Sequence, residues 1–169
     1  NGYGIESIGT GHVLEMDSNN GQSTVTNWNV GINCLRNTMI FRNVDFSENN
    51  IGITQTNSPG LTHEMYNNTF TNCNYGMTTT NSTPGYPGII ERNSFDNVKY
   101  GITVSNSLNM YKGWNMLRCG FTQSGIGGIR LNNASGNNIS YCNMQSKGLP
   151  QTSLISVSGG VVNNISSNY

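Results

Sequence analysis

Charge is the scarcest property of this chain. Eight Lys and Arg and eight Asp and Glu make up 9 % of 169 residues and cancel to a net charge of zero, where about a quarter of an ordinary domain is charged. Neutrality disfavours a nucleic-acid partner, which needs a basic stripe. It equally disfavours an anionic membrane surface, which needs clustered Lys and Arg. No apolar run approaches a membrane span, and the first residues lack signal-peptide anatomy. Histidine is nearly absent, with only His12 and His63, and none of the four cysteines forms a Cys-x-x-Cys pair or clusters with them. That argues against a zinc site, and no cofactor is expected. Helical periodicity is missing as well: apolar residues recur two and five apart, and Thr, Asn, Ser and Gly dominate the rest.

What the chain does have is a repeat. Phe46, Phe70, Phe95, Phe121 and Met144 follow one another at steps of 24, 25, 26 and 23 residues. Six residues after each Phe stands a glycine: Gly52, Gly76, Gly101 and Gly127, preceded by Ile51, Tyr75, Tyr100 and Ile126. Five before the Phe column stand Phe41, Met65, Ile90, Met116 and Ile139, and two before it Val44, Asn68, Asn93, Cys119 and Cys142. Eleven after it come Asn57, Asn81, Asn106 and Asn132. A period of this size marks a solenoid, in which each repeat buries its apolar face only against its neighbours.

Stretches such as Ile53-Thr54-Gln55-Thr56 and Ile102-Thr103-Val104-Ser105 read as strands, and Gly and Asn between them supply the bends. The fold expected is all-β: a single-stranded right-handed parallel β-helix of about seven coils of roughly 24 residues, stacked at about 4.8 Å. The asparagine column predicts a ladder of side-chain amides bonded from coil to coil. Cys119 and Cys142 share one column in adjacent coils and are expected as buried free thiols. Val25 extends the Phe column downward, and Tyr3-Gly4-Ile5 matches the middle of a coil. The pattern runs through both ends without a cap, so residues 1–169 read as a single β-helix segment of a longer chain.

Gly-Ile-Thr-x-x-Asn and its variants at 52–57, 76–81 and 101–106, with Ile-x-x-Asn-x-Phe and Asn-x-x-x-Gly-Ile around them, resemble the short repeats of pectin-lyase-like right-handed β-helix proteins. The degenerate signature covers roughly residues 25–169. Within that superfamily, the richness in Asn, Thr and Gly and the low charge are similar to bacteriophage tailspikes and tail appendages. The resemblance implies a homotrimer, a place in the virion tail or outside the cell, and attachment to or cleavage of bacterial surface polysaccharide.

The connection after the asparagine column varies in length while the rest of the coil does not, and variable loops on a constant scaffold are where binding concentrates. These loops carry His63, Glu64, Tyr86, Tyr111, Lys112 and Trp114. Aromatic rings beside amides and hydroxyls suit sugars, whose apolar faces stack and whose hydroxyls need partners. Packing over the loop or against another subunit would use the same aromatic residues. Glu64 and Glu91 are expected to point outward on neighbouring coils, about 8 Å apart by strand spacing. That separation suits inverting glycoside hydrolysis, although most outward carboxylates on adjacent coils are merely solvated. Arg42 and Tyr66 share the Glu91 column and are candidates to hold charge or substrate. Lyase chemistry is less favoured: no carboxylates converge in sequence for calcium, and Lys99, Lys112 and Lys147 are dispersed. Thr54/Thr56, Thr78/Thr80 and Thr103/Ser105 form a short outward array that β-propensity explains. Two other readings stand beside the first: a purely structural shaft, and part of a cellular carbohydrate-active enzyme.

Overall fold

The structure, a computed structural model, describes residues 2–10, 12–18, 23–58, 63–82, 88–108, 113–146, 154–161 and 163–169. Every element among them is a β-strand. In chain order they are β1 (Tyr3–Ile8), β2 (Val13–Asp17), β3 (Ser23–Thr26), β4 (Val30–Leu35), β5 (Thr38–Arg42), β6 (Val44–Ser47) and β7 (Ile51–Thr56). There follow β8 (His63–Tyr66), β9 (Thr69–Thr71), β10 (Tyr75–Thr80), β11 (Gly88–Glu91), β12 (Ser94–Asp96), β13 (Tyr100–Ser107) and β14 (Trp114–Leu117). The last are β15 (Gly120–Ser124), β16 (Gly127–Ala134), β17 (Asn138–Ser140), β18 (Asn143–Ser146), β19 (Ile155–Ser158) and β20 (Asn164–Ser166).

Every third strand pairs in parallel with the last of its kind. The first sheet is β1-β4-β7-β10-β13-β16-β19, the second β2-β5-β8-β11-β14-β17-β20, and the third β3-β6-β9-β12-β15-β18. The chain is thus an all-β parallel solenoid. Although two sheets have seven strands, about five turns close a buried interior rather than the seven coils expected. The side chains of β1, β2, β19 and β20 are half-buried or exposed along their length.

The interior is the column the periodicity called for. Val25, Phe46, Phe70, Phe95, Phe121 and Met144 are register partners in succession. Consecutive rings from Phe46 to Phe121 stack at 4.8, 4.7 and 4.8 Å between centroids, within 9° of parallel. The rung spacing of the sheets imposes that distance, so each ring contacts its neighbours at van der Waals separation. The glycine column exists because the rings fill its space: a Cβ on Gly76 would lie 2.6 Å from Phe95 Cδ1 and from Gly101 O.

The three corners share one device. Most strands end at a residue in the left-handed region, where the chain turns. Arg36, Asn57, Asn81, Asn106 and Asn133 close first-sheet strands, and Asn27, Glu48, Asn72 and Asn97 third-sheet strands. After the second sheet stand Asn43, Asn67, Arg92, Arg118, Tyr141 and Ser167. Asparagine predominates because its short amide tolerates this conformation. The predicted ladder is present, with Asn81 Nδ2 donating to Asn57 Oδ1 at 3.2 Å. Two more lie at the other corners, Asn67 to Asn43 at 2.7 Å and Asn97 to Asn72 at 2.6 Å.

One coil corrects the expected register. Gly127 pairs with Tyr100, and the irregularity between Phe121 and Ser124 gives this coil one extra residue. The ring-packed glycine is therefore Gly128, whose added Cβ would lie 3.2 Å from Phe121 Cγ. Ile126 is left exposed. The ladder shifts with it: Asn132 pairs with Ser105 in the sheet, and Asn133 is the corner residue bonded to Asn106.

Behind each corner residue an interior side chain completes the backbone bonding. Asn68 Oδ1 accepts from Val44 N and its amide donates to Phe41 O, at 3.0 and 2.9 Å; Asn93 does the same one coil on, for Asn68 N and Met65 O. Cys119 and Cys142 follow in this column as buried free thiols facing Ile90 O and Met116 O. The amide or thiol thus takes the place of a ladder partner where the sheet breaks.

Candidate functional site

The outward side of the second sheet concentrates the chain's few charges. One column reads Glu15, Ile40, Glu64, Ile89, Asn115, and the next reads Asp17, Arg42, Tyr66, Glu91, Leu117. Glu64 and Glu91 stand one rung and two residues apart, the offset that the spacing implies, because Ile89 pairs with Glu64 and Glu91 with Tyr66. Both side chains reach solvent in part, 34 and 20 %.

Neither carboxylate stands free. Arg42 is the hub of the strip: Nη2 donates to Glu64 Oε2 at 2.6 Å, and Nη1 to Glu15 Oε1 at 3.0 Å and Asp17 Oδ2 at 3.4 Å. The bond from Glu64, supported by Glu15 and Asp17, pushes the guanidinium further above its ordinary value. Glu91 accepts from Arg118 Nη1 at 3.0 Å and has Arg92 Nε at 3.7 Å. Arg92 also donates to the Tyr66 hydroxyl, and its guanidinium lies 5.4 Å from the Tyr66 ring centroid. The strip therefore binds itself from rung to rung. Its chemical resource is a row of guanidinium and carboxylate groups whose partners are exposed and exchangeable with a ligand's hydroxyls or acids.

Two tyrosines outside the candidate set pair on the first sheet. Tyr75 and Tyr100, outward on the first sheet, stack on each other at 5.1 Å, and Arg130 lies 5.8 Å from the Tyr100 centroid. The pairing turns one face of each ring toward the other.

Two candidates are withdrawn from the surface. His63 and Trp114, expected among the ligand-binding loop residues, are fully buried and stack on each other at 5.5 Å. They lie two coils apart, and Gly88, paired with Trp114, holds the place between them. A glycine there leaves the space that indole and imidazole close over. His63 also contacts Gln55 Nε2 through Nε2 at 2.7 Å, and Gln55 Oε1 accepts from Thr79 Oγ1 at 2.9 Å. Burial lowers the His63 pKa to about 4. The pair anchors the start of two second-sheet strands and touches no ligand from there. Tyr86, Tyr111 and Lys112 lie outside the described residues.

Sequence reasoning missed Asp17, Arg92 and Arg118. Column arithmetic carried one position past the strand would have found both arginines, because the corner residues project beside the Glu91 column. Among the described residues no group of three His, Cys, Asp or Glu is placed to hold a metal ion. No family model matches the sequence, and neither a curated protein nor a solved structure is found similar to it.

Proposed function

We propose that this β-helix is a segment of an extracellular appendage of the phage tailspike type, right-handed and trimeric, that engages bacterial surface polysaccharide. One observation carries the reading. From β3 to β18 the corners after the second and third sheets take one to three residues, whereas the connections from the first sheet to the second take two to seven. A rigid shaft with one variable edge is the arrangement of a binding scaffold. The charged strip of Arg42, Glu64, Tyr66 and Glu91 lies on the strands that receive those connections, with Arg42, Tyr66 and Glu91 at their far ends. If the segment cleaves its ligand, Glu64 and Glu91 are the acid and base of a glycoside hydrolase, and each must exchange its arginine for substrate.

The test is incubation with purified capsule and O-antigen. The reading expects retention of at least one polysaccharide, and catalysis in this segment expects reducing ends that vanish in Glu64→Gln and Glu91→Gln. Binding with no reducing ends leaves attachment alone. No binding to any would support the second reading, a structural shaft, which the self-paired strip favours.

A further inference from the structure

The amide ladder at the corner between the third and first sheets is interrupted in two successive coils. Asn29, Asn50 and Asn74 hold one outward position in successive coils, Asn50 donating to Asn29 at 3.1 Å and Asn74 to Asn50 at 2.8 Å. Lys99 takes that place in the next coil and Gly125 in the one after, as their backbone bonds show: Lys99 N to Cys73 O at 3.2 Å and Gly125 N to Val98 O at 2.7 Å. Beside it runs a second ladder, Glu48, Asn72, Asn97, joined at 2.5 and 2.6 Å. The first of these ladders stops at Lys99, and Gly125 follows in the bulged coil.

A groove of about 300 Å³ results. Asn72 and Asn97 wall one side, Asn74 and Lys99 the other, Cys73 and Val98 form its floor, and Gly125 leaves its end open. Bulges recur next to binding sites because they interrupt a pattern at one place, and this volume sits at the lower bound for small-ligand pockets. The walls offer amides that are joined to one another along the ladders, and Lys99, whose ammonium lies 6.0 Å from the Tyr100 ring centroid. Among the described residues no carboxylate is ion-paired with that ammonium. A planar aromatic ligand would need a broad apolar wall, and a bare anion more than a single cation. A ring bearing hydroxyls around its rim matches what is present.

We propose that this groove binds a single saccharide residue, at a site separate from the variable edge. It stands on its own observations and does not rest on the appendage reading. The probes are maltohexaose, cellohexaose and hexagalacturonate, titrated calorimetrically to about 10 mM against the whole chain. At least one should bind, and salt sensitivity would tell an acidic residue on Lys99 from a neutral one. Gly125→Asn extends the amide ladder into the groove and should lower affinity at least about tenfold, about 1.4 kcal/mol. It should keep the melting temperature, because an added Cβ meets nothing nearer than Lys99 Cα at 3.4 Å. Lys99→Gln should weaken binding without unfolding. Glu64→Gln should leave this binding unchanged, which separates the groove from the charged strip. Binding of none of the three, or wild-type affinity in Gly125→Asn, would overturn the site.

Discussion

Single side chains carry unequal weight in this molecule, and the periodic column says which carry most. Phe95 is stacked on both faces and fully buried. Phe95→Ala should cost about 3–5 kcal/mol in chemical denaturation, whereas the exposed neighbour Ser94 should tolerate alanine within about 0.5 kcal/mol. His63 makes stability depend on pH. Its folded pKa, about 4, lies below the unfolded 6.5, so folding favours the neutral ring. Its contribution is complete above the unfolded value and fades as pH falls from 6.5 toward 4, by up to about 3 kcal/mol. Denaturation curves at both ends of that window should show the loss in the wild type and not in His63→Gln. At Arg36 a long side chain occupies the left-handed region. Arg36→Asn should stabilise by about 1 kcal/mol, since asparagine adopts that conformation more readily.

At the scale of strands and corners, the glycine column is a packing requirement. A Cβ on Gly76 meets a backbone carbonyl and a phenyl ring at 2.6 Å, while one on Gly120 meets nothing within 4 Å. Gly76→Ala should therefore lose about 1–3 kcal/mol, and Gly120→Ala should be neutral or slightly stabilising. Equal melting temperatures for the two would contradict the packing. The strands and core were legible in sequence because apolar side chains recur at one place per turn. The corners were legible only where they carry asparagine. Glu48, Arg92, Arg118 and Tyr141 adopt the same backbone conformation with unrelated side chains, so residue type hides them. The bulged coil was misread because Gly127 and Gly128 are adjacent: either satisfies a glycine pattern, and only ring packing chooses between them. His63 and Trp114 were misassigned for a related reason. They border the variable connections in sequence, and Gly88, the space that lets them turn inward, belongs to the coil between.

For the molecule as a whole, the described surface is largely satisfied from rung to rung, by amide ladders, stacked tyrosines and ion pairs. Such a surface makes a stiff rod and leaves specificity to the places where the pattern is interrupted. The appendage reading predicts a trimer by light scattering, and a monomer at all concentrations would count against it. Charge bears little on the fold: the pairs around Arg42 and Glu91 are solvent-exposed and contribute at most about 1 kcal/mol each. The column of rings is the element on which the architecture depends, and it can be observed in solution. In deuterated protein with protonated phenylalanine, ring-to-ring Overhauser contacts should join Phe46 to Phe70, Phe70 to Phe95 and Phe95 to Phe121, with none between Phe46 and Phe121. A missing link between consecutive rings, or a direct contact between the first and last, would contradict the stack.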